Sequence, residues 1–225
     1  MGELIDTTEM FLKVIWELRE DGIPPLRARV TERLEQSVPA VSQTVARMER
    51  DGLLTLSGDR TLEFSSLGLA YAMRVMRKHR LAELLLLEVL GVELQHVHEE
   101  ACRWEHVLSR RAETGIVRVV ADPSHDPFGN PVPGLAELGY TREGPVATRA
   151  SRGLVPLPAG SYVLARLGEA VQSEPELVRA CAHGGRVAGC PVRVTWNGGE
   201  RRVEFGGSAP VAIPDTLARH VFVEP

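Results

Sequence analysis

The sequence predicts an α+β chain in three parts: an N-terminal winged helix-turn-helix, a helical middle, and a small C-terminal β-barrel. Three observations predict it. Apolar residues recur at helical spacing through residues 1–140. One stretch, Leu53 to Phe64, alternates in part around Ser57-Gly58-Asp59-Arg60, as a hairpin does. From Gly153 onward, short β-prone runs sit between glycines and prolines. The boundaries expected on this basis are 1–73 for the winged helix, 74–140 for the helical part, 141–152 for a linker and 153–225 for the barrel.

Asp6 followed by Glu9 reads as a capping box for a first helix. Phe11, Ile15 and Leu18 keep its spacing until Gly22, and Pro24-Pro25 closes it. A second short helix fits Leu26 to Leu34. The turn Glu35 to Pro39 leads into a third, with Val41, Val45 and Met48 on one stripe and Gly52 at its end. Helix, turn, helix, then hairpin is the winged-helix order. Ser65 or Ser66 caps a long helix that runs to about Gly91, another covers Leu94 to Leu108, and a third follows before Pro123. Leu84, Leu85 and Leu87 form an apolar face suited to dimerisation. Asp126 to Gly134 is a proline- and glycine-rich excursion from regular structure. The runs Tyr162 to Leu167, Val192 to Trp196, Arg202 to Phe205 and His220 to Val223 supply the barrel strands.

Composition narrows the function classes. With 44% hydrophobic and 25% charged residues, the 225-residue chain is an ordinary globular protein. Its net charge of −4 means that any nucleic-acid partner must be attracted by a local patch. Three cysteines at scattered spacings argue against a disulfide framework and fit a reducing cytosol. The start Met-Gly-Glu-Leu-Ile-Asp has no apolar core, so it does not read as a secretory signal. The run Leu81 to Leu90 carries Glu83 and Glu88 and falls short of the ~20 residues a bilayer requires. A soluble, cytoplasmic protein is expected.

A helix that reads DNA offers short polar or arginine side chains on one face and packs the other on its domain. Away from the Val41–Val45–Met48 stripe stand Ser42, Gln43, Thr44, Arg47 and Arg50. Gln43 can pair with adenine, and Pro39 or Ala40 can touch a thymine methyl. Arg27, Arg29, Arg47, Arg50 and the hairpin-tip Arg60 are candidate phosphate contacts, with Ala28 and Ser37 beside them. Solvated arginines on an amphipathic helix pair are the bland reading; the order of elements outweighs it.

Metal chemistry enters through spacing. Cys102, Glu105 and His106 stand at i, i+3 and i+4 on the expected helix and so share a face. His79 and Glu83 are an i, i+4 pair one helix earlier, and His98 lies one turn before Cys102. Two adjacent sites are geometrically possible: Met10, Cys102, Glu105 and His106, and separately His79, Glu83 and His98. A mixed sulfur, nitrogen and oxygen set suits a late first-row divalent ion better than magnesium or calcium. Met10 alone would be core packing, and Glu83 alone could pair with Lys78 or Arg80. His96, His125, His183 and His220 have no companions at ligand spacing and are expected at the surface. Cys181 and Cys190 read as spare thiols.

On these residues the chain resembles the diphtheria toxin repressor family of iron-dependent regulators. The matching stretches are Asp6-Thr-Thr-Glu-Met10, Pro25-Leu-Arg-Ala-Arg29, Val41-Ser-Gln-Thr-Val-Ala-Arg-Met-Glu-Arg-Asp-Gly52, Met76-Arg-Lys-His-Arg-Leu-Ala-Glu83, His98 through His106, and Pro127-Phe-Gly-Asn-Pro-Val-Pro-Gly134. The likeness is dense over residues 1–140 and weak beyond. It implies an SH3-like barrel, a homodimer on a double-stranded palindromic operator, and repression of iron uptake and storage genes. It also implies two ferrous ions per subunit, with Co2+, Ni2+, Mn2+ or Zn2+ as substitutes. Met10, Cys102, Glu105 and His106 would form the primary site. To His79, Glu83 and His98 of the ancillary site the barrel would add Glu169 and Gln172, which have the family's spacing. The family's anion ligands match at Arg80 and Asn130, but Asp126 stands where serine is usual, which speaks against an anion here. Sulfur at Met10 and Cys102 favours iron(II), because manganese-sensing relatives carry carboxylates there. The rivals are a manganese-responsive regulator and a metal-dependent hydrolase with Glu105 as base; no His-Glu-x-x-His pattern supports the latter.

Overall fold

The computed structural model describes residues 7–141, 151–155 and 157–224. Asp6 and most of the expected linker, residues 142–150, lie outside the described residues. The chain divides into two compact units, Met1–Lys78 and His79–Pro225.

In the first unit, α1 (Thr7–Glu20) buries Phe11, Leu12, Ile15 and Leu18 along one stripe. Helix α2 (Arg27–Leu34) ends at Glu35, whose φ of 50° turns the chain out of the helix. The third helix, α3 (Val38–Arg50), starts earlier than the Glu35–Pro39 turn suggests. Ser37 is its N-cap, accepting the Ala40 N–H at 3.4 Å, and Pro39 sits in the first turn, where its missing N–H costs nothing. Val41, Val45 and Met48 are fully buried against Phe11, Ile15, Val30, Leu54 and Leu62.

Strands β1 (Leu54–Leu56) and β2 (Leu62–Phe64) pair antiparallel, Leu54 opposite Phe64. A single bridge, Leu26 to Thr61, adds the chain before α2 to this wing. At the tip, Asp59 accepts the Thr61 N–H at 3.1 Å and Arg60 takes a left-handed φ of 66°. Contacts from Ser57 and Thr61 hold the Asp59 carboxyl below its ordinary range.

Helix α4 (Ser66–Glu88) begins in this unit, and the division falls within it. In the second unit follow α5 (Leu94–Trp104) and α6 (Arg110–Val119). The helix expected to reach Leu108 stops at Trp104: Glu105 is its C-cap, still donating to the Ala101 carbonyl at 3.0 Å, and His106 lies in the turn beyond. Of the expected Leu84–Leu85–Leu87 face, Leu84 is buried within this chain, whereas Leu85 and Leu87 stay half-buried. Leu84 is buried with Leu81, Ile116, Val120, Val132 and Leu135, Leu85 packs on that cluster, and Leu87 packs on the second core. Exposed apolar groups are instead Val89, Leu90, Val107 and Val119.

The C-terminal part is a six-stranded antiparallel sheet in the order β3-β8-β4-β5-β6-β7. Its strands are β3 (Arg152–Gly153), β4 (Gly160–Leu167), β5 (Pro191–Asn197), β6 (Glu200–Phe205), β7 (Val211–Ala212) and β8 (Val221–Glu224). Three short helices, α7 (Glu169–Gln172), α8 (Pro175–Cys181) and α9 (Asp215–Ala218), interrupt it and were not expected from the sequence. One core joins sheet and helices: Ala82, Leu86, Val97 and Ala101 pack in the same cluster as Phe128, Leu164, Leu167 and Val171. His220, expected at the surface, is buried because it leads into β8, where Val221 to Val223 enter that core.

Gly68 marks the tightest approach in the first unit, since a Cβ there would lie 1.9 Å from the Leu53 carbonyl oxygen. Neither group is a flexible side-chain end, so α4 must move off the wing to accept one. Gly68→Ala should lower stability by about 1–3 kcal/mol, read as a lower urea midpoint; an unchanged midpoint would contradict this packing.

Candidate metal centre and nucleic-acid face

Three elements of the second unit converge on a buried polar cluster. Helix α4 supplies His79 and Glu83 one turn apart, both with no exposed surface; α5 supplies His98; and α7 supplies Glu169. His79 Nε2 lies 2.9 Å from Glu83 Oε1, 3.1 Å from Glu169 Oε2 and 3.2 Å from His98 Nδ1. His98 Nδ1 lies 3.2 Å from Glu169 Oε2 and 3.4 Å from Glu83 Oε1. Ligands about 2.1 Å from a divalent ion stand about 3.0–3.4 Å apart in octahedral or tetrahedral geometry. Four of the five separations fall in that range, and the fifth, His79 to Glu83, is 2.9 Å.

The fit is also one of valence. Among the described residues, Glu83 Oε2 and Gln172 Oε1 are buried without a hydrogen-bond partner, a costly state that a cation relieves. The Gln172 amide is oriented by donating from Nε2 to the Leu167 carbonyl at 2.9 Å; that carbonyl can only accept, so Oε1 is left for another role. His79 is oriented from behind, its Nδ1 2.6 Å from Glu105 Oε2, which fixes the proton on Nδ1 and presents Nε2 as the lone-pair nitrogen toward the cluster. Burial works against the charge on Glu83, but neighbouring His79 and His98 hold its carboxyl below the ordinary range. Burial likewise opposes charge on His98, yet Cys102, Glu169 and Glu83 raise it well above the usual imidazole value.

Of the other expected set, the three residues in the second unit, Cys102, Glu105 and His106, do not form one cluster with one another. Cys102 Sγ groups with His79 and His98, 3.7 Å from His98 Nε2. The Glu105 carboxylate is turned to His79, and His106 Nε2 stands 3.5 Å from its other oxygen. The physical reasons are that the Glu105 carboxylate is engaged by His79, although its backbone is still helical, and that His106 lies in the turn after α5 ends. Met10 lies on α1 in the first unit, half-buried. Arg80 and Asn130, matched to an anion site, converge instead on the carboxylate of Asp126: Arg80 Nε stands 3.5 Å from Oδ2, and Asn130 Nδ2 donates to it at 2.9 Å. Burial and the Glu83 charge push the Asp126 carboxyl well up, against the pull of Arg80. Cys181 and Cys190 are buried free thiols, both raised by burial, which makes them inert.

The first unit carries the second candidate surface. On α3, Gln43, Arg47 and Arg50 are exposed and Ser42 and Thr44 half-exposed; Ser37, Pro39 and Ala40 open the helix toward solvent. Arg47 reaches Thr8 at 3.5 Å, Arg27 pairs with Glu49 at 3.6 Å, and Arg29 with Glu32 at 3.0 Å. Ala28 and the wing-tip Arg60 are exposed. Val38 was missed: its i−3 spacing from Val41 reads as core, yet the first turn leaves it 63% exposed.

Two family models match, the "Iron dependent repressor, N-terminal DNA binding domain" over residues 3–62 and the "Iron dependent repressor, metal binding and dimerisation domain" over residues 65–134. The chain belongs to the iron-dependent repressor family. It is 50% identical over 229 residues to the "Iron-dependent repressor IdeR" of Mycobacterium tuberculosis, covering 100% of this chain and 99% of the relative. The "Diphtheria toxin repressor" of Corynebacterium glutamicum is 48% identical over 229 residues, covering 100% and 98%. A solved "Manganese-dependent transcriptional repressor complex with manganese" superposes with a TM-score of 0.71 at 26% identity, covering 97% of this chain and 99% of that one. The likeness therefore runs through the C-terminal sheet, which the motifs alone did not reach. Membership makes the chain a metal-activated, DNA-binding transcriptional repressor and sets aside the hydrolase reading. Among the described residues, no helix is long and apolar enough to cross a membrane.

Because His98 is raised, a cation entering its cluster at neutral pH must displace a proton. The sign follows: affinity should fall as pH drops below the raised His98 value and level off above it. Calorimetry of Co2+ binding in buffers of different ionisation enthalpy should therefore show proton release; binding that takes up no buffer contribution at neutral pH would count against it.

Proposed function

We propose that this repressor is activated by ferrous iron, works in the cytoplasm as a homodimer on palindromic operators, and silences iron uptake and storage genes. The single observation carrying the metal reading is the buried cluster of His79, Glu83, His98 and Glu169, whose ligand atoms sit at coordination spacing. Gln172, with its buried unpartnered Oε1, is the proposed fifth ligand. A second ion is proposed on Cys102, Glu105 and His106, with Met10 supplying a thioether; the sequence motif supports this set. Bound there, a divalent ion supplies positive charge, and the residues' own task is to hold it: sulfur at Met10 and Cys102 favours iron(II) over harder ions.

The name of the 50%-identical relatives supports iron as the cue. A manganese-responsive regulator is the second reading, favoured by the all-nitrogen-and-oxygen donor set of the His79 cluster and by the manganese named for the solved relative. Anaerobic gel shifts titrated with Fe2+ and Mn2+ separate the two. Operator binding at lower Fe2+ than Mn2+ is expected; the reverse order would favour manganese.

Cys102→Ala and Glu105→Ala should each abolish metal-dependent operator binding while the chain stays folded. Retained repression by both would refute the second site. On α3, Gln43→Ala should relax preference at one base position, at a cost of about 1–3 kcal/mol there. Arg60→Ala should weaken all sequences alike and reduce the salt slope by about one. Footprinting against salt measures both, and equal effects of the two variants would contradict this assignment.

A further inference from the structure

We propose that Asp126 is a built-in counter-anion for Arg80, a positioning residue that keeps Glu169 available to a divalent cation; this rests on the metal reading of the His79 cluster. Arg80 is fully buried on α4. Its Nη1 donates to the Pro131 carbonyl at 2.6 Å, its Nε stands 3.5 Å from Asp126 Oδ2, and its Nη2 stands 3.5 Å from Glu169 Oε1. Two carboxylates thus share one guanidinium, and one of them is a proposed metal ligand.

Asp126 is held to that task by its own loop. Its Oδ1 accepts the N–H of Phe128 at 2.8 Å and of Asn130 at 2.9 Å, and its Oδ2 accepts the Asn130 side-chain amide at 2.9 Å. Every one of these partners is a donor, as an acceptor-only carboxylate requires. Asn130 is itself clamped, donating to the Leu167 carbonyl at 2.9 Å and accepting from Arg166 at 3.2 Å. The loop cannot drift from the sheet, because Gly129, at φ 89°, lies where a Cβ would stand 2.2 Å from the Ala165 carbonyl oxygen.

Charge shows why the carboxylate matters. Burial and the Glu83 charge push the Asp126 carboxyl up in the ion-free cluster; a divalent ion that neutralises Glu83 and Glu169 removes that repulsion and leaves Asp126, 3.5 Å from the Arg80 Nε, as the carboxylate that balances the guanidinium. Arg166 is half-exposed over the Phe222 ring and Glu105 faces His79 from the other side, so neither enters this balance. With a neutral residue at 126, one buried positive charge is uncompensated when the ion is bound, a costly state. Glu169 is a carboxylate already within reach of that guanidinium, so Arg80 and the ion would compete for it.

A purely structural role, capping the 126–130 turn, predicts a different result from a charge role. Asp126→Asn keeps an oxygen for both backbone N–H groups, removes the charge, and places an N–H donor where Oδ2 accepted the Asn130 amide. Asp126→Ala leaves a space facing a guanidinium, an amide and two backbone N–H groups, which a small carboxylate can refill. The test is anaerobic Co2+ titration of the full chain by visible absorption, with His79→Ala identifying the signal of this cluster and thermal unfolding in chelator monitoring the fold.

Asp126→Asn should bind Co2+ about tenfold more weakly or worse, without recovery in sodium formate. Asp126→Ala should weaken comparably and recover in formate. Wild-type affinity in the asparagine variant, or no recovery in a folded alanine variant, overturns the inference and leaves the metal reading standing. If alanine does not fold, Asp126→Glu, which restores the charge, decides: it should bind Co2+ more tightly than the asparagine variant, and no gain overturns the inference. A wild-type chain with no Co2+ signal removed by His79→Ala overturns both.

Discussion

Two carboxylates and two imidazoles whose ligand atoms lie within 4.8 Å of one another in the interior are the constraint on which the second unit depends. Water cannot reach Glu83 or Glu169 to dissipate their charge, and mutual repulsion there is strong in a low dielectric. Such an arrangement holds together only through surrounding cations and donors. Arg80 and the imidazoles supply part of that, and the proposed divalent ion would supply the rest. The helices α4 and α5 and the short α7 are thereby committed to one another through polar atoms as well as through the apolar cluster around Ala82, Val97 and Val171.

That commitment explains why the helical part and the sheet form one compact unit although the sequence divides them. Ligands come from both sides of the expected linker, Glu83 and His98 before it and Glu169 after it. The Asp126–Asn130 loop makes the same crossing through backbone and side-chain hydrogen bonds to Leu167. The proposed ligand set draws on both segments, so it is complete only when the sheet is docked. The protein's family membership gives that docking a purpose in transcriptional control.

Much of this was legible in the sequence, and for identifiable reasons. The spacing of Val41, Val45 and Met48 gave α3, because a stripe buried on one side leaves a 3.6-residue signature. The pair His79 and Glu83 needed only one turn of a long helix, so i, i+4 spacing sufficed. Cys102, Glu105 and His106 were harder: the spacing was right, but α5 stops at Trp104, and no strong stop signal such as glycine precedes Glu105. Glu169 and Gln172 were reached only through a family likeness, because a four-residue helix has too few positions to show a period. The burial of Leu84 by α6 and the exposure of Val38 both depend on tertiary packing, which no local pattern records.

The Leu167 carbonyl, which receives both the Asn130 amide and the Gln172 amide, has a consequence for how such a protein can change over time. A main-chain oxygen has no codon. Substitutions at position 167 can alter the side chain yet leave this acceptor in place, so drift can loosen the junction only from the donor side, at 130 or 172. The loop and the ligand-bearing turn therefore share an anchor that mutation at its own position does not remove.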